Sequence, residues 1–192
     1  MQTAVPSATG DPEPSWVGEV LEFWFGELSI EQWFTRDDAL DVRIGERFLA
    51  LHERLLAQEG SRRPTAGALL ATVIVLDQFS RNLFRDDRRA YAADAIARRL
   101  SRRAIALGFD AAMTTHERLF LYMPFEHSED AADQALAVEL VSALGDAELT
   151  RYAIAHRDII ARFGRFPHRN AVLGRASTPE ELAFLQQPMS SF

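Results

Sequence analysis

Apolar residues recur at helical spacing along most of the chain. Val17, Val20, Leu21, Trp24 and Phe25 share one face, with Ser15 as a cap and Gly26 as a stop. A short apolar piece at Glu31–Phe34 follows. Leu40, Ile44, Phe48, Leu51 and Leu55 predict a second helix over about 36–57. Gly60–Pro64 reads as a loop, and Thr65 caps a helix that runs to about Leu83. Between Ala66 and Leu76 this helix is apolar nearly all round, which predicts a central, buried position. Asp86 and Asp87 open the next helix, about 88–107, which Gly108 closes. Thr115 opens a short helix that Pro124 stops. Ser128 caps another, with Glu129 and Asp130 in its first turn, ending near Gly145. A helix over about 147–163 ends at Gly164, and Thr178-Pro179-Glu180-Glu181 forms a capping box with Pro at the first helical position.

There is no alternating strand pattern. The prediction is an all-α fold of antiparallel helix hairpins with short connections. The 192-residue length suits one domain, spanning 15–192. Residues 1–14, rich in Pro, Ser, Thr and Gly, read as a flexible arm.

Composition narrows the function. The longest apolar run, Ala68–Leu76 broken only by Thr72, is about half a bilayer span, so no membrane association is expected. The first 14 residues have no basic start and no apolar stretch, so a cytoplasmic location is expected. The chain has no Cys, which excludes thiol nucleophiles and Cys-based metal sites. It has no Lys either, all 21 basic residues being Arg, which excludes Schiff bases and a phosphate-loop Lys. No Gly-rich phosphate loop or dinucleotide fingerprint occurs, so no cofactor is expected. The net charge of −7 argues against a nucleic-acid partner. That charge is uneven: residues 151–175 hold six Arg and one acid, Asp158.

Three stretches carry candidate chemistry. In LDQFSRNLFRDD (76–87), Asp77, Gln78, Arg81 and Asn82 end the buried helix, and Asp77 and Arg81 are spaced to pair. In PFEHSED (124–130), capping accounts for Ser128, Glu129 and Asp130, leaving Glu126 and His127. Glu126, His127 and Asp130 match no strong metal motif, and no metal is expected. In FGRFPHRN (163–170), Arg165, His168, Arg169 and Asn170 cluster around Pro167, which can open a short helical turn, with His156 in the apolar stripe just before. Helix starts and Arg forks both favour anions. The alternative for each stretch is structural: Arg–Asp networks, capped helix ends and a core histidine. His52 and His116 read as ordinary helix positions.

Four segments together, VLEFWFG, LDQFSRNLFRD, FLYMPFEHSED and FGRFPHRNAVLGRASTPEELAFL, resemble a bacterial family catalogued as domain of unknown function 924. The resemblance spans about residues 16–185 and implies an all-helical, tetratricopeptide-like fold without an established activity. Ser80 stands where the family commonly has Pro, and Arg62–Pro64 where it usually has Trp.

The expectation is a binding module. Asp77, Gln78, Arg81, Asn82, His127, His156, Arg165, His168, Arg169 and Asn170 would line one pocket for an anionic small molecule or peptide. Arg81, Arg165 and Arg169 would hold the anion. A second reading is a hydrolase-like enzyme, with His127, His156 or His168 as general base beside Asp77 or Glu126. A third makes the motifs structural, with function through a protein partner.

Overall fold

A computed structural model describes residues 13–57 and 64–190. The helices are α1 (Ser15–Leu21), α2 (Ile30–Phe34), α3 (Asp38–Ala57), α4 (Ala66–Val73), α5 (Ser80–Leu83), α6 (Asp94–Ala106), α7 (Thr115–Glu126), α8 (Ala131–Ser142), α9 (Ala147–Phe163) and α10 (Pro179–Phe184). No strand occurs among the described residues. Most of the predicted arm and loop, 1–12 and 58–63, lie outside the described residues.

One rod organises the molecule. Thr65 accepts the Ala68 amide and starts α4, which passes through a π-helical turn, Ile74–Phe79, straight into α5. Every residue from Leu69 to Ser80 except Thr72 is buried. α1, α6 and α7 pack against α4, and α3 packs against the π turn and α5. Short connections at 127–130 and 143–146 fold α7, α8 and α9 back on one another. Trp24, Phe23, Phe48, Phe79 and Phe120 interlock as an aromatic centre, with Trp24 and Phe120 edge to face at 5.2 Å. Each such ring is worth about 2–3 kcal/mol in burial. A smaller cluster, Ile159, Ile160, Phe166 and Phe184, seats the C-terminal segment.

Several helix ends differ from the pattern. α1 begins at Ser15 itself, after Pro14, with no side-chain cap. Gly26 does not stop it, because the chain widens into a π turn, Glu22–Glu27, in which Phe23 and Trp24 are both buried. The helix expected over 88–107 is two pieces. Asp86 takes a left-handed φ of 58°, Asp87 caps a 3-10 turn at Arg88–Tyr91, and α6 starts at Asp94. Pro124 lies inside α7, which ends two residues later. The cap of α8 is Asp130, which accepts the Ala132 and Asp133 amides, rather than Ser128. His52 lies within α3, as expected, but it is buried there and its Nε2 lies 2.7 Å from Ser80 Oγ.

Candidate functional site

The π turn brings a carboxylate to the middle of the molecule. Asp77 is fully buried at the end of the apolar rod. It accepts from His127 Nδ1 at 2.9 Å and from Gln78 Nε2 at 2.6 Å, with Arg81 Nη1 3.3 Å away. Burial alone would favour the neutral acid. The Arg81 and His127 contacts outweigh it and hold the carboxyl well below the usual carboxylate range. Arg81 also donates to the Asp77 carbonyl at 2.6 Å. A second acid, Asp94 at the start of α6, bridges Arg81 and Arg169, at 3.3 Å to each. Arg169 stacks over the rings of Tyr91 and Phe166, 4.6 and 4.7 Å from their centroids.

The end of α7 supplies the facing groups. Gln134, fully buried in α8, donates to the carbonyls of Glu126 and Ser128 at 2.6 and 2.7 Å. That satisfies helix-end carbonyls which would otherwise be buried alone, and it fixes Glu126 and His127 in place. Glu126 is 4% exposed and its Oε1 has no hydrogen-bond partner. Burial, then the charge of Asp77, pushes its carboxyl up to about 8. Its other oxygen is 3.7 Å from His156 Nδ1, beyond hydrogen-bond reach, because that nitrogen lies 2.8 Å from the Tyr152 carbonyl and donates to it.

The three nearby histidines are held neutral. Burial lowers His156 to about 3, against the Tyr152 hydrogen bond. Burial and then Arg169 lower His168 to about 4. Burial and Arg81 also lower His127, against the pull of Asp77.

FGRFPHRN divides between site and scaffold. Gly164 ends α9 with φ at 68°, a conformation that suits glycine, and Pro167 opens a 3-10 turn, Pro167–Arg169. Glu129 holds this segment down by accepting the Phe166 amide and both ends of the Arg175 guanidinium. His168 and Arg169 reach the centre. Arg165 and Asn170 do not. Arg165 forks onto Glu181 at 2.6 and 2.8 Å, and Asn170 is buried between Ser177 and Arg175. Glu181 is drawn down to about 2, by the Arg165 hydrogen bond foremost.

The basic island is not a free positive patch. Arg151, Arg157, Arg162, Arg165, Arg169 and Arg175 each pair with a carboxylate. Of the six, Arg169 alone lines the cleft described next.

These groups surround a cleft of about 770 Å³. Gln78, Arg81, Asn82, His127, His156, His168 and Arg169 line it, with Asp77 directly behind His127 and Arg81. Eight of the ten residues singled out in the sequence are thus gathered at or just behind one surface. Asn82 also donates to Asp41. The sequence did not single out Asp94, Tyr91, Tyr152, Trp33, Phe34 or His116. Tyr91 and the last four line the cleft, and Asp94 braces its two arginines. Asp94 carried a signal: it is the acid on the buried stripe of Ala97, Leu100, Ser101 and Ala104. Among the described residues no three metal-ligating side chains gather, and Asp130 is spent as a cap. No helix among them is long and apolar enough to cross a membrane.

The sequence pattern of a bacterial family, "protein of unknown function (DUF924)", matches residues 20–189. A solved structure of a protein of unknown function from Agrobacterium tumefaciens is similar over 89% of this chain and 97% of that one, at 37% identity and a TM-score of 0.80. No curated protein matches the chain.

Proposed function

The chain belongs to the bacterial DUF924 family, and we propose that its cleft binds a small anionic molecule with an apolar body. One observation carries the reading. Arg81 and Arg169 share Asp94 at the cleft wall, while the buried Nε of Arg169 has no acceptor. A nearly buried guanidinium that shares its carboxylate with a second arginine leaves stabilisation unrealised, and an anion in the cleft supplies it. Burial and the neighbouring Arg81 weaken the hold of Arg169 on its proton. The volume is that of a small-molecule site. Phe34, 54% exposed, with Trp33 and Tyr152 offers aromatic surface at the same cleft. A peptide's C-terminal carboxylate shares the anion chemistry.

The test is a thermal-shift comparison of 3-phenylpropanoate, its neutral amide, inorganic phosphate and a short peptide with a free carboxylate. At ~100 times its dissociation constant a ligand adds about 2.7 kcal/mol, or roughly 5–11 °C for a chain of this size. The carboxylate should stabilise and the amide should not. Equal shifts, or none from any anion, would refute the reading.

A further inference from the structure

We propose that this cleft hydrolyses its ligand: His127, oriented by Asp77, takes a proton from a water that attacks the carbonyl carbon of an anionic carboxylic ester, and Glu126 protonates the departing alkoxide. The inference rests on the binding reading above and adds chemistry to it.

Geometry selects the base. The Asp77 carboxylate 2.9 Å from His127 Nδ1 fixes the proton on that nitrogen and leaves Nε2 with the lone pair. Asp77 is itself locked by Gln78 and Arg81, so the pair is preorganised. The cleft also holds His116, His156 and His168, and it is His127 that Asp77 orients. His156 spends Nδ1 on a backbone carbonyl, and His168 Nδ1 is buried with no partner.

Geometry also selects water as the nucleophile. Cys and Lys are absent from the chain. Ser80, whose hydroxyl lies 2.7 Å from His52 Nε2, donates to the Leu76 carbonyl at 2.7 Å, so it accepts from His52 Nε2–H and has no base to activate it. Glu126 is the complementary acid. Adjacent in sequence to His127 and lining the same cleft, it has an unpartnered Oε1 and no cation bonded to it to draw off its proton.

The step balances. The water oxygen bonds to the carbonyl carbon as its proton passes to Nε2, and the carbonyl electrons move onto oxygen, near Arg81 and Arg169. Collapse re-forms the carbonyl, breaks the bond to the alkoxy oxygen and transfers the Glu126 proton to it. The products are a carboxylic acid and an alcohol. The proton on His127 then returns to Glu126 through solvent.

The acidities agree. Asp77, Arg81, Asp94, His156 and His168 face His127, and Asp77 and His156 face Glu126. Their balance leaves His127 neutral above its lowered value and Glu126 protonated up to about 8. Activity should therefore fall on the acid side as His127 protonates, beneath the ordinary imidazole range, and on the basic side near 8.

The test uses the ethyl and 4-nitrophenyl monoesters of succinic acid, each keeping a free carboxylate. Binding is measured separately, by thermal shift with succinate. His127→Asn should lower kcat for both esters by about 100-fold or more while succinate still binds. Glu126→Gln should lower kcat far more for the ethyl ester, whose alkoxide needs a proton, than for the 4-nitrophenyl ester, whose phenolate does not. Wild-type kcat/KM should be bell-shaped in pH, a readout that needs no variant to fold. Succinate binding without hydrolysis faster than that of His127→Asn overturns the catalytic proposal and leaves the binding reading standing. Failure of succinate to bind overturns the catalytic proposal, and the binding reading falls with it when 3-phenylpropanoate also fails to bind.

Discussion

Replacing Asp94 by Asn probes the centre of the site without touching a residue of the proposed acid–base pair. Asp94 is 7% exposed, and it binds Arg81 through both oxygens, at 3.3 and 3.4 Å, and Arg169 at 3.3 Å. Arg81 would keep Asp77 and its carbonyl. Arg169 would lose its hydrogen-bonded acid while staying buried. Breaking a buried pair by removing one partner costs about 3–5 kcal/mol. The long contacts place this one at the lower end, although Asp94 also sits in the first turn of α6, where its charge adds about 0.3–1 kcal/mol. A loss of ~3 kcal/mol corresponds to a Tm lower by roughly 6–12 °C. Urea unfolding reads it as a shifted midpoint at unchanged slope. Adding Arg169→Met should recover part of the loss, with a coupling of at least ~1 kcal/mol in the double-mutant cycle. A loss within ~0.5 kcal/mol, or strictly additive effects, would show that Arg169 does not depend on Asp94 and would remove the basis for an anion at that wall.

Two further outcomes follow from the same contacts. Arg165→Ala should lower the Tm, because it frees Glu181 and the 165–181 crossing, yet leave anion affinity unchanged in calorimetry. A collapse of affinity would mean that the cleft extends to Arg165. Glu126→Gln should become increasingly stabilising as pH rises. The folded carboxyl titrates near 8 and the unfolded one near its ordinary 4.5, so the native state alone holds the proton in that window and loses stability across it. Wild type and variant should match below about pH 4.5 and differ by a few kcal/mol, on the order of 1.4 per pH unit, towards pH 8. A constant difference between pH 5 and pH 8 in urea melts would contradict a buried, protonated Glu126.

How far the sequence could be read depended on whether local or distant groups decided each feature. The bounds of α9, the Thr65 cap, the capping box at Thr178 and the buried rod came from nearby residues, and they stand. Pro124 misled because a proline so near the C-terminal end removes a single i to i−4 donor from α7, and because Gln134 on the next helix takes up the terminal carbonyls. In SED, three adjacent cap-forming side chains competed. Asp130 won, while Ser128 donates to Asp133 and Glu129 reaches Phe166 and Arg175, about forty residues away. The same distance effect divided FGRFPHRN. Spacing could mark it as polar, but only the fold shows that Arg165 and Asn170 tie down the C-terminal segment while His168 and Arg169 enter the cleft. Asp94 went unmarked because its partners lie 13 and 75 residues along the chain.

The most direct measurement is a calorimetric titration of 3-phenylpropanoate into wild type, Arg169→Gln and Arg165→Gln, each checked for folding by circular dichroism. The account predicts binding to wild type and Arg165→Gln and at least tenfold weaker binding to Arg169→Gln. Equal binding to all three, or loss in Arg165→Gln alone, would contradict it.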